Sequence, residues 1–509
     1  MAECGGRGTK AGRKRLVLPL VGCVVVALAL RLPFVRDPLG SDESGLLLVV
    51  RHFGSGATPY GDYWVDRSPL LLAYFWLADE VAGADGVRLL GCVVSVVLVV
   101  VAAWLGHLLG GRRGAVWTGA TAAVLGSSYV IAGHLMNGML QAATLSLLSC
   151  ALTVAATSGQ GGPAWRRHAF LVAAGASGVA AALVKQSFVC GLAFGVAVVL
   201  ASRLYGDLGT RQTLRALGSG LVGVVSVVAA VVGWSLTHGV SPGELWFAVV
   251  EFRVLATELT SETAMAASRH RIDTLAGAFL GSGLGFLLAV LAAALPALLR
   301  DPDRRRYAVG VGVLLLVAVA GVLGGGSWWR HYLVQLVPVA VLVVALVAPL
   351  ASRWGRAARA AVVVTSAASV VGGVVGAVVE EEPPDQVRVG KYLAAAAEPD
   401  DTAVVTWGHA EVLLYAGLES PYPHLWSLPA RTLDRDLSHL TRVVTGRRPP
   451  TWLVEWRSFS SWDGTGEGRL ARAVERRYRL VGRPCGQRLY LLRGVDRELP
   501  PVTCAQRET

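Results

Sequence analysis

The residues with the most chemical promise lie between positions 40 and 70. The chain reads Gly40-Ser41-Asp42-Glu43-Ser44 and then Pro59-Tyr60-Gly61-Asp62-Tyr63-Trp64-Val65-Asp66-Arg67-Ser68-Pro69. Adjacent carboxylates can accept or hold a proton, and an arginine can hold a phosphate or carboxylate through two parallel hydrogen bonds. Asp42 and Glu43 follow closely on an apolar run of spanning length. Charge at the mouth of such a run is costly unless it faces water or a partner. Taken alone, the pair reads more simply as a solvated helix cap. Further candidates are dispersed: Asn137-Gly138, Lys185-Gln186, Arg253, and Arg330-His331-Tyr332 with Gln335 and Pro338. Each has a plain reading too. Asn137 suits a helix cap, Lys185 closes an apolar helix and can snorkel, and Trp328 and Trp329 suit an interfacial belt. Arg253 lies in an apolar run, 245–255, that suits a helix in the interface. His134 also reads as interfacial, with no role.

The elements that must position these residues are mostly apolar. Of 509 residues, 53% are hydrophobic and 16% charged, with a mean hydropathy of +0.52. A soluble globular chain carries about a quarter charged residues, so an ordinary cytosolic enzyme is excluded. A spanning helix needs about 20 apolar residues. Eleven segments qualify: 16–34, 87–109, 115–133, 138–157, 169–185, 187–202, 216–237, 274–299, 307–325, 332–351 and 360–379. The fifth and sixth are short and would be tilted or joined by a turn at the interface. The first lacks a small-residue cleavage site after it, unlike a signal peptide.

The formal net charge is +12, and its placement matters more than its size. The N-terminal tail holds Arg7, Lys10, Arg13, Lys14 and Arg15, and alternate short loops hold Arg112 and Arg113, Arg166 and Arg167, Arg203, Arg211 and Arg215, Arg300 and Arg304 to Arg306, and Arg353, Arg356 and Arg359. With eleven spans all of these share one side, which the excess of basic residues marks as cytoplasmic. The C-terminal region is then outside. The surplus is a topology signal and not a nucleic-acid footprint. Lysine occurs only at 10, 14, 185 and 391, beside abundant Ala, Val and Gly, as in a bacterial GC-rich genome. The expected organisation is a basic tail, 1–15, a transmembrane domain, 16–379, with large outer loops 35–86 and 238–273, and an extracytoplasmic domain, 380–509. Within the first loop, 69–77 is apolar but too short to span, and it reads as an interface helix.

The last region changes composition. It opens on a linker, Glu380-Glu381-Glu382-Pro383-Pro384. Strand patterns at 402–407, 451–456 and 488–492 alternate with helix patterns at 386–397, 409–416, 433–444 and 468–478, which suggests a small α/β domain. It holds no Gly-rich nucleotide fingerprint. Residues 380–509 carry 18 basic and 18 acidic side chains, so this region adds nothing to the net charge. Cys23, Cys92, Cys150 and Cys190 fall in apolar segments, whereas Cys485 and Cys504 share the outer region and their spacing permits a disulfide. No Cys/His spacing resembles a zinc site.

The order of the motifs resembles the polyprenyl-phosphate-sugar-dependent membrane glycosyltransferases. These are the GT-C class, in the branch of protein O-mannosyltransferases and lipid A aminoarabinose transferases. That branch carries an acidic pair after helix one, then Pro-Tyr-x-Asp, then a Lys-Pro-Pro-like step; here the last is Arg67-Ser68-Pro69. The resemblance continues in Asn137-Gly138, Lys185-Gln186 and His331-Tyr332-x-x-Gln335-x-x-Pro338, and covers about 16–350. It implies a mainly α, polytopic GT-C fold with about eleven transmembrane helices and a small outer α/β domain. It implies a sugar donor on a polyprenyl phosphate and an acceptor outside the membrane: a cell-wall glycan, a glycolipid or a protein. The sugar would be mannose, arabinose or a related one. Asp42 would be the general base and Glu43 its support. Arg67 would contact the donor phosphate, with Lys185, Arg253 and Arg330 as further contacts. Tyr60, Asp66, Asn137, His331 and Tyr332 would line the substrate. No cofactor is required, and a divalent metal stays open. One departure stands out: relatives carry Glu just after Asn-Gly, and this chain has Met139, with Gln141 nearby.

Two other readings compete. A transporter or flippase for a lipid-linked substrate needs polar groups near the middle of several spans, and the ionisable residues here gather at outer ends. A non-catalytic scaffold on the same fold is favoured by Met139 and disfavoured by intact Asp42, Glu43 and Arg67.

Overall fold

The computed structural model describes residues 7–54, 56, 58–158, 163–263, 265–379, 383–459, 467–501 and 504. The first residues of the basic tail, residue 264 of the second outer loop and residues 380–382 of the linker lie outside them. The chain divides into two compact units. One comprises Met1–Arg36, Val87–Gly233 and Thr263–Val379; the other comprises Asp37–Gly86, Trp234–Glu262 and Glu380–Thr509.

The first unit is helical. Among the described residues, eight helices in the chain have the length and apolarity of a membrane span, or nine if the pair Arg269–Gly281 and Leu284–Arg300, bent by 66°, is one span. The protein is therefore a multi-pass membrane protein, with fewer spans by this measure than the eleven expected. The differences have physical causes. Segments 87–109 and 115–133 share one helical stretch, Pro69–Gly126, 58 residues long. At 1.5 Å per residue it would reach about 87 Å, far more than a bilayer's roughly 30 Å core. It is not straight. Gly111 has φ +58°, and the Thr118 hydroxyl donates to the Ala102 carbonyl, sixteen residues earlier, at 2.7 Å. A straight helix would separate those residues by about 24 Å, so the chain doubles back at Gly111. Gly106 and Gly114 meet across this hairpin: a Cβ on Gly106 would stand 2.5 Å from the Gly114 oxygen.

The second limb stops at Gly126, seven residues short of the expected end. The cause is Arg31, buried at 2% exposure. Its guanidinium donates to the carbonyls of Gly126 (3.3 Å), Gly133 (2.9 Å) and His134 (2.8 Å). It thus satisfies a helix-end carbonyl and fixes the loop that follows. Segment 187–202 is the helix Cys190–Leu204, only 15 residues long. Segment 274–299 breaks at Ser282-Gly283, where Gly283 has φ +82°. Small residues bring other helices close, as they do in membrane bundles: Gly175 lies against the backbone of Gly220, and Gly223 against that of Val172.

The second unit joins the expected outer loops to the C-terminal region. Its sheet has strands β1 (Ala403–Val405), β2 (Trp452–Glu455), β3 (Tyr478–Gly482) and β4 (Arg488–Leu492) in the order β1-β2-β4-β3. β1 and β2 run parallel; β4 is antiparallel to β2 and β3. β3 escaped the sequence reading because Arg479 interrupts its apolar run. The helix expected over 433–444 is two, Ser427–Leu433 and Ser438–Thr445. Between them the buried Asp434 accepts from the His439 amide (2.9 Å), the Leu440 amide (3.0 Å) and the Tyr422 hydroxyl (2.9 Å). Cys485 and Cys504 form a disulfide.

The first loop is built into this unit. The Leu39 amide donates to the Tyr415 hydroxyl at 2.8 Å, the Trp64 amide to the Pro423 carbonyl at 3.0 Å, and the Ser420 amide to the Tyr63 hydroxyl at 2.7 Å. Gly45 leaves room for the indole of Trp426, which a Cβ would strike. His424, 9% exposed, stands between the rings of Trp64, Tyr422 and His439. Burial pushes its imidazole down to about 4 from 6.5, against the pull of Asp434 and with the push of His439. An unfolded chain takes a proton on this histidine as pH falls through 6.5, while the folded chain refuses it until about 4. Stability from the neutral buried ring is therefore complete above that window and lost through it, by about 3 kcal/mol. Thermal unfolding of the full chain in lipid should show this loss between pH 6.5 and 4, and His424→Gln should flatten it.

Candidate functional site

Asp42 and Glu43 do not hang from the first span. They occupy the first turn of a separate helix, Ser41–Gly54, where negative charge is favoured. The Glu43 carboxylate accepts from the Gly40 amide at 3.1 Å and is 2% exposed. It therefore closes the helix start on itself, the cap that the sequence offered as the simple reading. Asp42 is half-buried and is the more open of the two. The helix is pinned by Arg51, whose guanidinium grips the Asp79 carboxylate at 2.7 to 3.1 Å.

Residues 58–68 form the next layer. Tyr60 holds a left-handed backbone, φ 65°, and its hydroxyl donates to the Arg67 carbonyl at 2.7 Å. Burial, with the nearby negative charge of Asp66, holds its phenol far above the usual range, so Tyr60 acts as a neutral donor. Asp66 is the centre of the arrangement. Its carboxylate is 2.5 Å from an Arg67 nitrogen and 2.5 Å from an Arg253 nitrogen, and it is 8% exposed. Arg253 comes from the second loop, in the helix Phe252–Thr263, which follows a π-helical turn at Phe247–Glu251. Aromatic packing brings the two loops together: Trp64 lies 4.4 Å from Phe252 and 6.4 Å from Phe247, ring centre to ring centre. Two guanidiniums thus flank one carboxylate.

The remaining candidates belong to the helical unit. Asn137 is buried, and its side-chain oxygen accepts from the Met139 amide at 3.3 Å, the capping role in outline. Lys185 ends the helix Ala164–Val184 and is 7% exposed. Arg330 lies over the Tyr129 ring at 4.8 Å, and His331 meets Tyr332 edge-on at 5.0 Å. Trp329 is 45% exposed, with the Arg271 guanidinium 4.1 Å and the His331 ring 6.3 Å from its ring. Gln335 donates to the Ser187 carbonyl at 2.7 Å, tying the turn after Lys185 to this segment. Met139 is buried in the first turn of its helix. The Gln141 amide is buried there too, and neither its nitrogen nor its oxygen has a hydrogen-bond partner.

Two arginines escaped the sequence reading. Arg31 and Arg88 are 2% and 4% exposed, and both donate to the His134 carbonyl. His134 is stacked against Phe34 at 4.7 Å and Tyr129 at 5.2 Å. Burial, then the charges of Arg88, Arg31 and Arg330, hold its imidazole well below the usual range. Each of the two was visible as an arginine inside an apolar run, which in a membrane chain marks a polar duty. Among the described residues, no group of three or more His, Cys, Asp or Glu is arranged to hold a metal ion.

No family model matches the sequence, and no curated protein does. Solved structures do match. ArnT from Cupriavidus metallidurans, bound to undecaprenyl phosphate, superposes with a TM-score of 0.63 at 16% identity, over 94% of this chain and 98% of that one. The oligosaccharyltransferase of Archaeoglobus fulgidus, in complex with Zn and sulfate, gives 0.52 at 13% identity, over 93% and 73%. The same organism's AglB, with an inhibitory peptide and a dolichol-phosphate, gives 0.51 at 12% identity, over 95% and 75%. At such identities the likeness establishes the fold: the chain has the GT-C glycosyltransferase fold, with a small C-terminal sheet.

The ion-pair cluster makes a direct prediction. Asp66→Asn removes the charge that offsets two neighbouring guanidiniums, so unfolding should be easier by about 3 kcal/mol. In a double-mutant cycle with Arg253→Gln the coupling should be about 1–3 kcal/mol. Additive effects would mean that the two side chains do not interact in solution.

Proposed function

We propose that the protein is an inverting glycosyltransferase that moves a sugar from a polyprenyl-phosphate donor to an acceptor outside the cytoplasmic membrane. The observation that carries this reading is the Asp66-centred pair of arginines, in one compact unit with the Asp42 helix, on a GT-C fold. The neighbouring ArnT is described bound to undecaprenyl phosphate, which supports a lipid phosphate as the anion.

In this mechanism Asp42 accepts the proton of the acceptor hydroxyl as its oxygen attacks the anomeric carbon. A new C–O bond forms with inversion. The bond from the anomeric carbon to the phosphate oxygen breaks, and its electron pair leaves with the polyprenyl phosphate. Arg67 and Arg253 balance the charge that grows on that phosphate. Glu43 keeps the helix start in place, and Tyr60 holds the Arg67 backbone. Lys185, Arg330, His331, Tyr332 and Asn137 serve as further substrate contacts in the proposal, on the strength of the motif order. Fixed arginines suffice for a leaving group that is already stable, so the scheme assigns no step to a metal. The excess of basic residues in alternate loops supports a topology with the N-terminus inside and residues 380–509 outside, on the acceptor's side.

The test is transfer from a radiolabelled polyprenyl-phosphate sugar to a cell-envelope extract, by protein reconstituted in lipid. Asp42→Asn should lower the rate by about 10²–10⁴-fold with donor affinity kept. Arg67→Ala should weaken donor binding by about tenfold or more, one charge-assisted contact being worth roughly 1.5–3 kcal/mol. Unchanged transfer in Asp42→Asn would sink the proposed base, and unchanged donor affinity in Arg67→Ala the phosphate contact.

A further inference from the structure

The sheet carries a second cluster of chemical groups that the donor site does not use. β1 and β2 are parallel, and just beyond their carboxyl ends lie Trp407-Gly408-His409 and Trp456-Arg457. In open α/β sheets the crevice outside such strand ends is where ligands bind. Three successive residues hold left-handed backbone there: Trp407 at φ 74°, Gly408 at 80° and His409 at 112°. For a bulky residue this conformation is strained and persists only where the surroundings enforce it, commonly at binding sites. Gly408 is required by space as well, since a Cβ would come 2.5 Å from the Ser427 nitrogen.

The side chains gathered by this turn are of complementary kinds. The guanidiniums of Arg431 and Arg457 lie 5.5 and 5.3 Å from the centre of the Trp407 ring. The His409 ring lies 4.4 Å from that of Trp456. His409 Nδ1 is 3.5 Å from the Glu411 carboxylate and 3.4 Å from the Gln386 amide. Glu411 is 7% exposed, and its second oxygen, Oε2, is buried with no hydrogen-bond partner. Leaving such an oxygen unpaired is costly, which favours a ligand donor at that place.

We propose that this cluster binds a saccharide carrying an anionic group. An aromatic ring such as Trp456 offers a flat apolar face to a sugar ring, Arg431 and Arg457 suit a carboxylate or phosphate, and Glu411 accepts from a hydroxyl. The inference rests on the transferase reading in one respect only, that the saccharide is taken as the acceptor. Carboxylate and phosphate share the same recognition, so the experiment separates them.

The full chain in lipid nanodiscs, without any donor, is titrated calorimetrically with hexagalacturonate, mannose 6-phosphate and mannohexaose. Binding of either anionic probe is expected, weakened about tenfold or more in Arg457→Ala and in Trp456→Ala, with unchanged thermal unfolding. The anionic probe that binds more tightly assigns carboxylate or phosphate. Equal binding of mannohexaose, no binding of any probe, or affinity unchanged in Arg457→Ala would overturn the proposal. Arg457 is exposed, so its removal leaves the fold intact even if Trp456→Ala does not. No transfer is measured, so failure of the transferase reading leaves these outcomes readable.

Discussion

Much of the candidate site depends on the Asp66 carboxylate. Two guanidiniums repel one another, and bringing Arg67 and Arg253 to one place is unfavourable until a negative charge lies between them. Asp66 supplies it at 2.5 Å on each side. The ion pairs also join two distant stretches of chain, since Arg67 belongs to the first long loop and Arg253 to the second. Trp64, Phe247 and Phe252 complete the junction from the apolar side. A partly buried cluster of this kind is a poor source of net stability. In the proposed reaction its use lies in holding two positive charges in fixed positions, where they would stabilise a departing phosphate.

A related constraint operates in the helical unit. Arg31 is buried in the apolar helical stretch Val17–Phe34. Its donors meet the Gly126 carbonyl at the helix end and the Gly133 and His134 carbonyls within the loop 127–138. An arginine can satisfy several carbonyls at once because its donors lie in a rigid fork. The same loop brings His134 against Phe34 and Tyr129 and ends at Gly138, just after Asn137. The residues before Met139 are thus fixed by a buried cation, and Met139 itself is packed as core. In both units a loop is tied down by arginine contacts.

The parts of the fold that depend on periodicity and length were legible in the sequence: a mainly α membrane protein, a small α/β region after residue 380, and strands at 402–407, 451–456 and 488–492 within a residue or two. The parts that depend on where a helix bends were not. The hairpin at Gly111 and the break at Gly283 rest on single glycines with positive φ, and a hydropathy run cannot show them. Of the proposed site, the acidic pair, Tyr60, Asp66 and Arg67 stand out in the sequence because they sit close together in it. The link from Arg253 to Asp66 is not legible in the sequence, since Arg253 lies far from Arg67 along the chain and tertiary packing brings it to Asp66. Arg31 and Arg88 stand near the ends of the apolar segments 16–34 and 87–109, where the sequence alone gives no sign that they are buried. The Trp407 cluster drew no notice, since backbone strain and strand direction are properties of the folded chain.

The central claim is that Arg67 and Arg253, fixed by Asp66, form the seat of the donor's phosphate. The most direct measurement is a structure of the full chain in lipid with a bound polyprenyl phosphate. The account predicts phosphate oxygens within hydrogen-bond reach of both guanidiniums, with Asp66 still between them. A phosphate seated elsewhere, with Arg67 and Arg253 engaged by Asp66 alone, would contradict it.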